Sequence, residues 1–183
     1  MKVSIVYGWC EGPHLARDLK RELEANGHEL IKNAREADVI IAHSLGCYLI
    51  PKESKVSNIL LTGLPYGPRK HLPLLTLHKV ITNGVRSVGD GQFMYWLRKG
   101  FWNSVYFFIR PSAHVNLKRL NNLNYLPESH KQKKVLLIKN DEDKLTSIDQ
   151  LQEVIKQKDW KVIIVPGRHD DLWMNPNRYI ALI

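Results

Sequence analysis

Cysteine is scarce. Cys10 and Cys47 are the two in 183 residues, too few for a disulfide framework, so a reducing, intracellular setting is expected. Long apolar runs are lacking as well: Val105 to Ile109 extends for five residues, against the ~18–20 that cross a bilayer. The opening Met1-Lys2-Val3-Ser4-Ile5-Val6 goes straight into a strand-like pattern without the cleavage region of a secretory leader, and a cytoplasmic protein is the expectation. Gly8 and Gly12 are accompanied by no Gly-Lys-Ser/Thr and no Gly-x-Gly-x-x-Gly, which argues against a phosphate loop or a dinucleotide site. His14, His28, His71, His78, His114 and His130 have neither ligand-like spacing nor cysteine or carboxylate partners nearby, so no metal site and no cofactor are expected.

Acidic residues are nearly missing from one third of the chain. Residues 65–134 hold 12 Lys or Arg but only Asp90 and Glu128, whereas residues 1–64 balance 8 against 8 and residues 135–183 carry 7 against 8. The net charge of +9 therefore sits in the middle. All four Phe, from Phe93 to Phe108, lie in that segment, with Tyr95, Trp96, Trp102 and Tyr106 among them. A neutral two-part frame surrounds a basic, aromatic insertion at 65–133. The 44% apolar and 25% charged content excludes a disordered or fibrous chain, and the length predicts one domain over 1–183.

The frame alternates short apolar runs with amphipathic ones, the pattern of a doubly wound, mainly parallel α/β sheet. The runs predict strands at 2–7, 37–42, 57–62, 134–139 and 161–165, with a weaker edge strand at 28–33, about six in all. They are nearly all apolar rather than alternating, as strands buried on both faces are. Leu15, Leu19 and Leu23 predict a helix over 13–26 that stops at Asn26-Gly27. Ile148, Leu151, Val154 and Ile155 predict another over 148–158, and residues 45–53 a short one. Within the insertion, helices are expected at 95–110, broken at Gly100, and at 112–122.

Chemistry concentrates where strands end. Ala42-His43-Ser44-Leu45-Gly46 runs from a strand into a helix, with small residues two before and two after the serine. A nucleophile on such a sharp, strained turn requires that spacing, and backbone N–H groups at the following helix would face a developing oxyanion. On its own this is a pattern that also arises by chance, and a turn serine needs no catalytic role. Serine needs a base, and the base needs an orienting carboxylate. Asn140-Asp141-Glu142-Asp143-Lys144-Leu145 follows one later strand and Pro166-Gly167-Arg168-His169-Asp170 the next. All lie beyond the carboxyl ends of parallel strands, where doubly wound sheets place their sites. His43, in the middle of the turn, is expected to point away into packing. Asp170 and Asp171 are expected in a solvated loop, and Cys10 and Cys47 as small buried residues.

With its Ala-His-Ser-Leu-Gly turn, its Asp-Glu-Asp-Lys-Leu-Thr loop and its Pro-Gly-Arg-His loop, the sequence resembles the small α/β hydrolases. Tyr7-Gly8-Trp9 stands where that family carries His-Gly-x. The resemblance covers the two flanking segments; Ala42 replaces the usual Gly, Tyr7 the usual His, and Arg168 directly precedes the histidine. It implies a minimal α/β-hydrolase fold lacking the first two antiparallel strands, with the insertion as a helical cap. It further implies Ser44 as nucleophile, His169 as general base and acid, and Asp143 as the orienting acid, with Asp141 the competing choice. The backbone N–H groups of Trp9 and Leu45 would be the oxyanion donors. A cap selects substrate by shape and desolvation, which makes Phe93, Trp96 and Trp102 the candidate substrate contacts.

The expected activity is hydrolysis of a carboxylic ester, with thioester or amide behind it, on a small or amphiphilic substrate. The alternative is a non-catalytic binding protein that uses the basic aromatic insertion for RNA or a lipid surface. No nucleic-acid motif supports the RNA reading, and the basic amphipathic stretch is the sole argument for peripheral membrane contact.

Overall fold

The computed structural model describes residues 1–8, 11, 13, 15–53, 56–66, 119–129, 133–143 and 148–183. Among the described residues, six strands form one parallel sheet: β1 (Lys2–Val6), β2 (Glu29–Leu30), β3 (Val39–His43), β4 (Asn58–Thr62), β5 (Lys134–Asn140) and β6 (Lys161–Val165). Their order across the sheet is β2-β1-β3-β4-β5-β6. The chain starts at β1, steps outward to β2, and returns to lay β3 on the other side of β1. The strand order thus reverses between β1 and β3, and their carboxyl ends flank the crevice where such sheets bind ligands.

Period-two alternation divides the strand side chains between two cores. Ile40, Ala42, Ile59, Leu61, Val135 and Leu137 face one, and Val39, Ile41, Leu60 and Ile138 the other. Helix α2 (Ile148–Lys158) covers the first with Leu151 and Val154. Helices α1 (Arg17–Ala25), α3 (Asp171–Met174) and α4 (Asn177–Ile180) cover the second with Leu19, Leu23, Trp173 and Tyr179. Both faces being covered explains why the central runs Val39–Ala42 and Ile59–Leu61 are continuously apolar, whereas β6 at the sheet edge leaves Ile164 exposed.

Helix α1 starts at Arg17 rather than at residue 13, and it ends as its sequence predicts. Gly27 takes φ +76°, its N–H donates to the Glu24 carbonyl and the His28 N–H donates to Leu23. That pair of bonds satisfies two carbonyls of the last turn, and glycine takes the left-handed conformation they require without cost to a Cβ. The edge strand is shorter than the expected 28–33. It pairs at Lys2↔Glu29 and Val3↔Leu30, then Asn33 accepts from the Arg35 N–H at 3.2 Å and turns the chain into a 3-10 turn over Ala34–Glu36.

Residues 45–53 were expected to be a helix and are instead a 3-10 segment, Ser44–Tyr48. The residue before a proline is disfavoured in the helical region, and Ile50-Pro51 stops propagation. Helices α3 and α4 were not anticipated. The expected insertion helices at 95–110 and 112–118 lie outside the described residues. The end of the second, 119–122, is a turn with Asn121 at φ +60°. Where the chain rejoins the frame, the Lys158 ammonium donates to Glu128 at 2.6 Å and the Trp160 indole N–H to the Pro127 carbonyl at 3.0 Å.

Candidate active site

Ser44 follows β3 directly, with φ +52°. For a residue with a Cβ this left-handed conformation costs ~1–2 kcal/mol, which persists only where the surroundings impose it. Here β3 is buried over its whole length, and the chain must turn sharply at the sheet's edge. Two glycines let the turn close. A Cβ at Gly46 would strike the Val6 carbonyl and lie 2.8 Å from the Tyr7 backbone, and one at Gly8 would lie 2.8 Å from the Ser44 Cβ. The strand β1 exit and the serine turn therefore meet at a separation that only glycine permits.

Asp143 and His169 come from the ends of β5 and β6. The Asp143 N–H donates to the Asn140 carbonyl at 3.0 Å, and the buried Lys139 ammonium donates to the Asp143 carbonyl at 2.6 Å and to that of Asn140. This fixes a tight turn that buries the Asp143 carboxylate completely. Its Oδ2 lies 3.0 Å from His169 Nδ1. A carboxylate accepts, so Nδ1–H donates, and Nε2 is left as the nitrogen that can exchange a proton.

Burial alone would pull the His169 imidazolium down. The charge of Asp143 and its hydrogen bond, followed by the charges of Asp170 and Glu11, outweigh it and push the imidazolium up to about 9. Asp141, the competing carboxylate, is exposed and accepts instead from the N–H groups of Gly167 at 2.9 Å and Glu142 at 2.8 Å. Arg168 turns outward to pair with Glu142 at 2.8 Å.

The expectation of a solvated loop after His169 is overturned. Asp170 and Asp171 are 6% and 7% exposed. The Asp171 carboxylate accepts from Asn175 at 2.6 Å, from the Tyr179 hydroxyl at 3.1 Å and from Arg178 at 3.2 Å, while Asn140 donates to the Tyr179 hydroxyl at 2.6 Å. Burial, opposed by the Asn140 bond, raises the Tyr179 phenol. This cage ties α3 and α4 to the end of β5 and holds the histidine loop between them.

His43 does more than pack. Fully buried, it places Nδ1 2.6 Å from Glu11 Oε1 and Nε2 2.8 Å from the His169 carbonyl oxygen. Glu11 Oε2 accepts from the Gly8 N–H at 2.7 Å. The His43 ring lies 4.9 Å from that of His169 and 5.0 Å, edge-on, from Trp173. No sequence motif marks Glu11. His43 is 32 positions from Glu11 and 126 from His169, and no local pattern carries such pairings.

Among the described residues, His43, His169 and Asp170 bring donor atoms within 4.8 Å of one another. Both nitrogens of His43 are already committed, so the group offers a metal a poor donor set. Cys47 is buried, as expected, and burial raises its thiol. Of the other expected site residues, Leu45 is buried directly after Ser44, and Trp9, Cys10, Phe93, Trp96 and Trp102 lie outside the described residues. None of the described helices is long and apolar enough to cross a membrane.

No protein-family profile and no curated protein sequence matches the chain. Solved structures do. A carboxylesterase from the ammonia-oxidizing thaumarchaeon Nitrososphaera gargenis superposes with a TM-score of 0.67 at 14% identity, over 99% of this chain and 87% of the other. An N-formylmaleamic acid deformylase from Pseudomonas putida gives 0.64 at 11% identity, over 98% and 90%. The thioesterase domain from the curacin biosynthetic pathway gives 0.62 at 13%, over 99% and 89%. The fold is that of the α/β hydrolases, in a minimal form with six parallel strands.

Proposed function

We propose that the protein is a serine hydrolase that cleaves a carboxylic ester of a small or amphiphilic molecule, with thioesters and amides as poorer substrates. His169 Nε2 takes the proton of Ser44 Oγ as the oxygen attacks the carbonyl carbon. The tetrahedral oxyanion is held by the N–H groups of Trp9 and Leu45, donors typically worth ~3 kcal/mol each. Collapse expels the alcohol, which receives the proton from His169. Water then attacks the acyl-serine with His169 again as base, and the acid departs. Asp143 keeps the imidazole in the tautomer this sequence needs. The 65–133 insertion would cap the site within the same domain, with Phe93, Trp96 and Trp102 against the substrate.

One observation carries the reading: Ser44, strained at φ +52°, stands at the switch point of a sheet whose same edge bears a buried Asp143 carboxylate 3.0 Å from the partly buried His169. The carboxylesterase and thioesterase among the structural neighbours support ester-type chemistry. The test is turnover of p-nitrophenyl esters of graded acyl length and of a matched thioester. Turnover by the wild type that vanishes in Ser44→Ala and His169→Ala supports the assignment. Equal rates in all three proteins would refute it, and salt-sensitive binding of an anionic partner without turnover would favour a binding role for the basic insertion.

A further inference from the structure

Counting hydrogens across Glu11 and His43 leads beyond the triad. The His169 carbonyl can only accept, so His43 Nε2 carries a hydrogen. Glu11 Oε2 already accepts from the Gly8 N–H. The 2.6 Å contact between Glu11 Oε1 and His43 Nδ1 then needs one hydrogen between them, whichever atom holds it. With one shared proton the pair is net neutral, either acid and imidazole or carboxylate and imidazolium. The two side chains are 8% and 0% exposed, and a net charge there would be costly to bury.

The bridge connects the three loops on which the proposed chemistry depends. Glu11 follows β1 by five residues and is tied to its exit through the Gly8 N–H. His43 is the last residue of β3, immediately before Ser44. The acceptor at its far end is the main chain of the residue that carries the base. Gly63, at the end of β4, leaves the room: a Cβ there would lie 3.0 Å from His43 Nε2 and 2.9 Å from His169 Cε1. Packing alone does not account for the arrangement, because a buried hydrogen-bonded pair is often no more stabilising than apolar residues of similar volume. A pair that aims one donor at the main chain of the base is suited to fixing position.

We propose that Glu11 and His43 are positioning residues, a buried strut that holds the His169 main chain and the loop after β1 in register with Ser44. The proposal rests on the serine-hydrolase reading. The strut acts through the placement of the His169 main chain and of the Gly8 backbone relative to Ser44.

The experiment compares the second-order rate of Ser44 labelling by a fluorophosphonate across wild type, His43→Phe, Glu11→Ala and Glu11→Gln. In each case Oγ–P forms as P–F breaks, fluoride leaves and His169 takes the Ser44 proton. His43→Phe keeps the ring and loses both hydrogen bonds. Glu11→Ala leaves Nδ1 unpaired. Glu11→Gln can donate its amide N–H to Nδ1 while its oxygen accepts from Gly8. Both disruptive variants are expected to label ~10- to 100-fold more slowly, the cost of a misplaced catalytic group, and Glu11→Gln to recover to within about threefold of wild type.

The ring signals of His169 in 15N-histidine-labelled protein are expected to shift in Glu11→Ala and to return in Glu11→Gln, a response that a loss of packing alone would not reverse. If His43→Phe does not fold, the Glu11 pair decides. Equal labelling of all four proteins would overturn the strut while leaving the hydrolase intact. A folded wild type that takes no label would overturn the hydrolase reading, and the strut's catalytic role with it.

Discussion

Replacing Asp143 with Asn tests the electrostatics of the site most sharply. The substitution conserves shape and removes the charge that does most to raise His169. The imidazolium is held at about 9, against an ordinary 6.5, although burial acts to lower it. A base must be neutral to accept the Ser44 proton, so activity should climb with pH along a limb centred near 9. Without the Asp143 charge, burial dominates, and the imidazolium should fall by two pH units or more, a loss of roughly 3 kcal/mol of differential stabilisation. The limb of the profile should then lie at or below about 7. The plateau should also drop, by ~10³–10⁴-fold, because an amide no longer selects the Nδ1–H tautomer.

Ester turnover from pH 5 to 10, with a parallel NMR titration of His169, reads both effects. A limb that stays near 9 in Asp143→Asn would refute the assignment of Asp143 as the dominant influence on His169. The same shift sets a stability trend. The raised His169 contributes fully below about 6.5 and loses its contribution as pH rises through about 9, so wild type should unfold more readily in urea at pH 10 than at pH 6. Asp143→Asn should flatten that difference.

Other perturbations follow from particular contacts. Ser44→Gly should abolish turnover and raise Tm by about 1–4 °C, because glycine takes φ +52° without the Cβ penalty; a fall in Tm would contradict the strain assigned to the turn. Gly46→Ala drives a methyl into the Val6 carbonyl and should cost ~2–4 kcal/mol in urea unfolding, whereas a neutral effect would mean the turn can relax. Gly63→Ala puts a Cβ at φ +55° against both His43 and His169 and should lower Tm as well as the kcat of the remaining folded protein, measured by turnover and Tm together; an unchanged kcat would contradict the tight fit there. Leu19→Ala empties a fully buried position of α1, far from Ser44 in the chain, and should cost ~2–5 kcal/mol while kcat of the remaining folded protein is unchanged.

The sheet was legible because strands covered on both faces are apolar along their buried length, as Val39–Ala42 and Ile59–Leu61 are. The end of α1 was legible because Asn26-Gly27 fits a single backbone solution there. The edge strand was overestimated, since β1 continues to Val6 but the chain leaves it after Leu30, where the Asn33 turn begins a 3-10 segment. Helices α3 and α4, four residues each, are too short to show a period. Packing of Trp173 and Tyr179 and the Asp171 cage hold them instead, and the cage buries a carboxylate that reads locally as part of a solvated loop.

Ser44, Asp143 and His169 stood out because each adjoins a strand's carboxyl end. The hydrogen bonds of Lys139 and Asn140 explain why Asp143, not Asp141, turns inward: they fold the loop so that the third residue after β5 faces the sheet edge. The Glu11–His43 bridge left no trace in sequence, because its partners meet only after β1, β3 and β6 are aligned.

Labelling with a fluorophosphonate probe, followed by intact-mass analysis and peptide mapping, addresses the central claim directly. A single adduct on Ser44, absent from Ser44→Ala and suppressed in His169→Ala, is the predicted result. A well-folded protein that takes no adduct, or takes it at another residue while Ser44 remains unmodified, would contradict the assignment of Ser44 as an activated nucleophile.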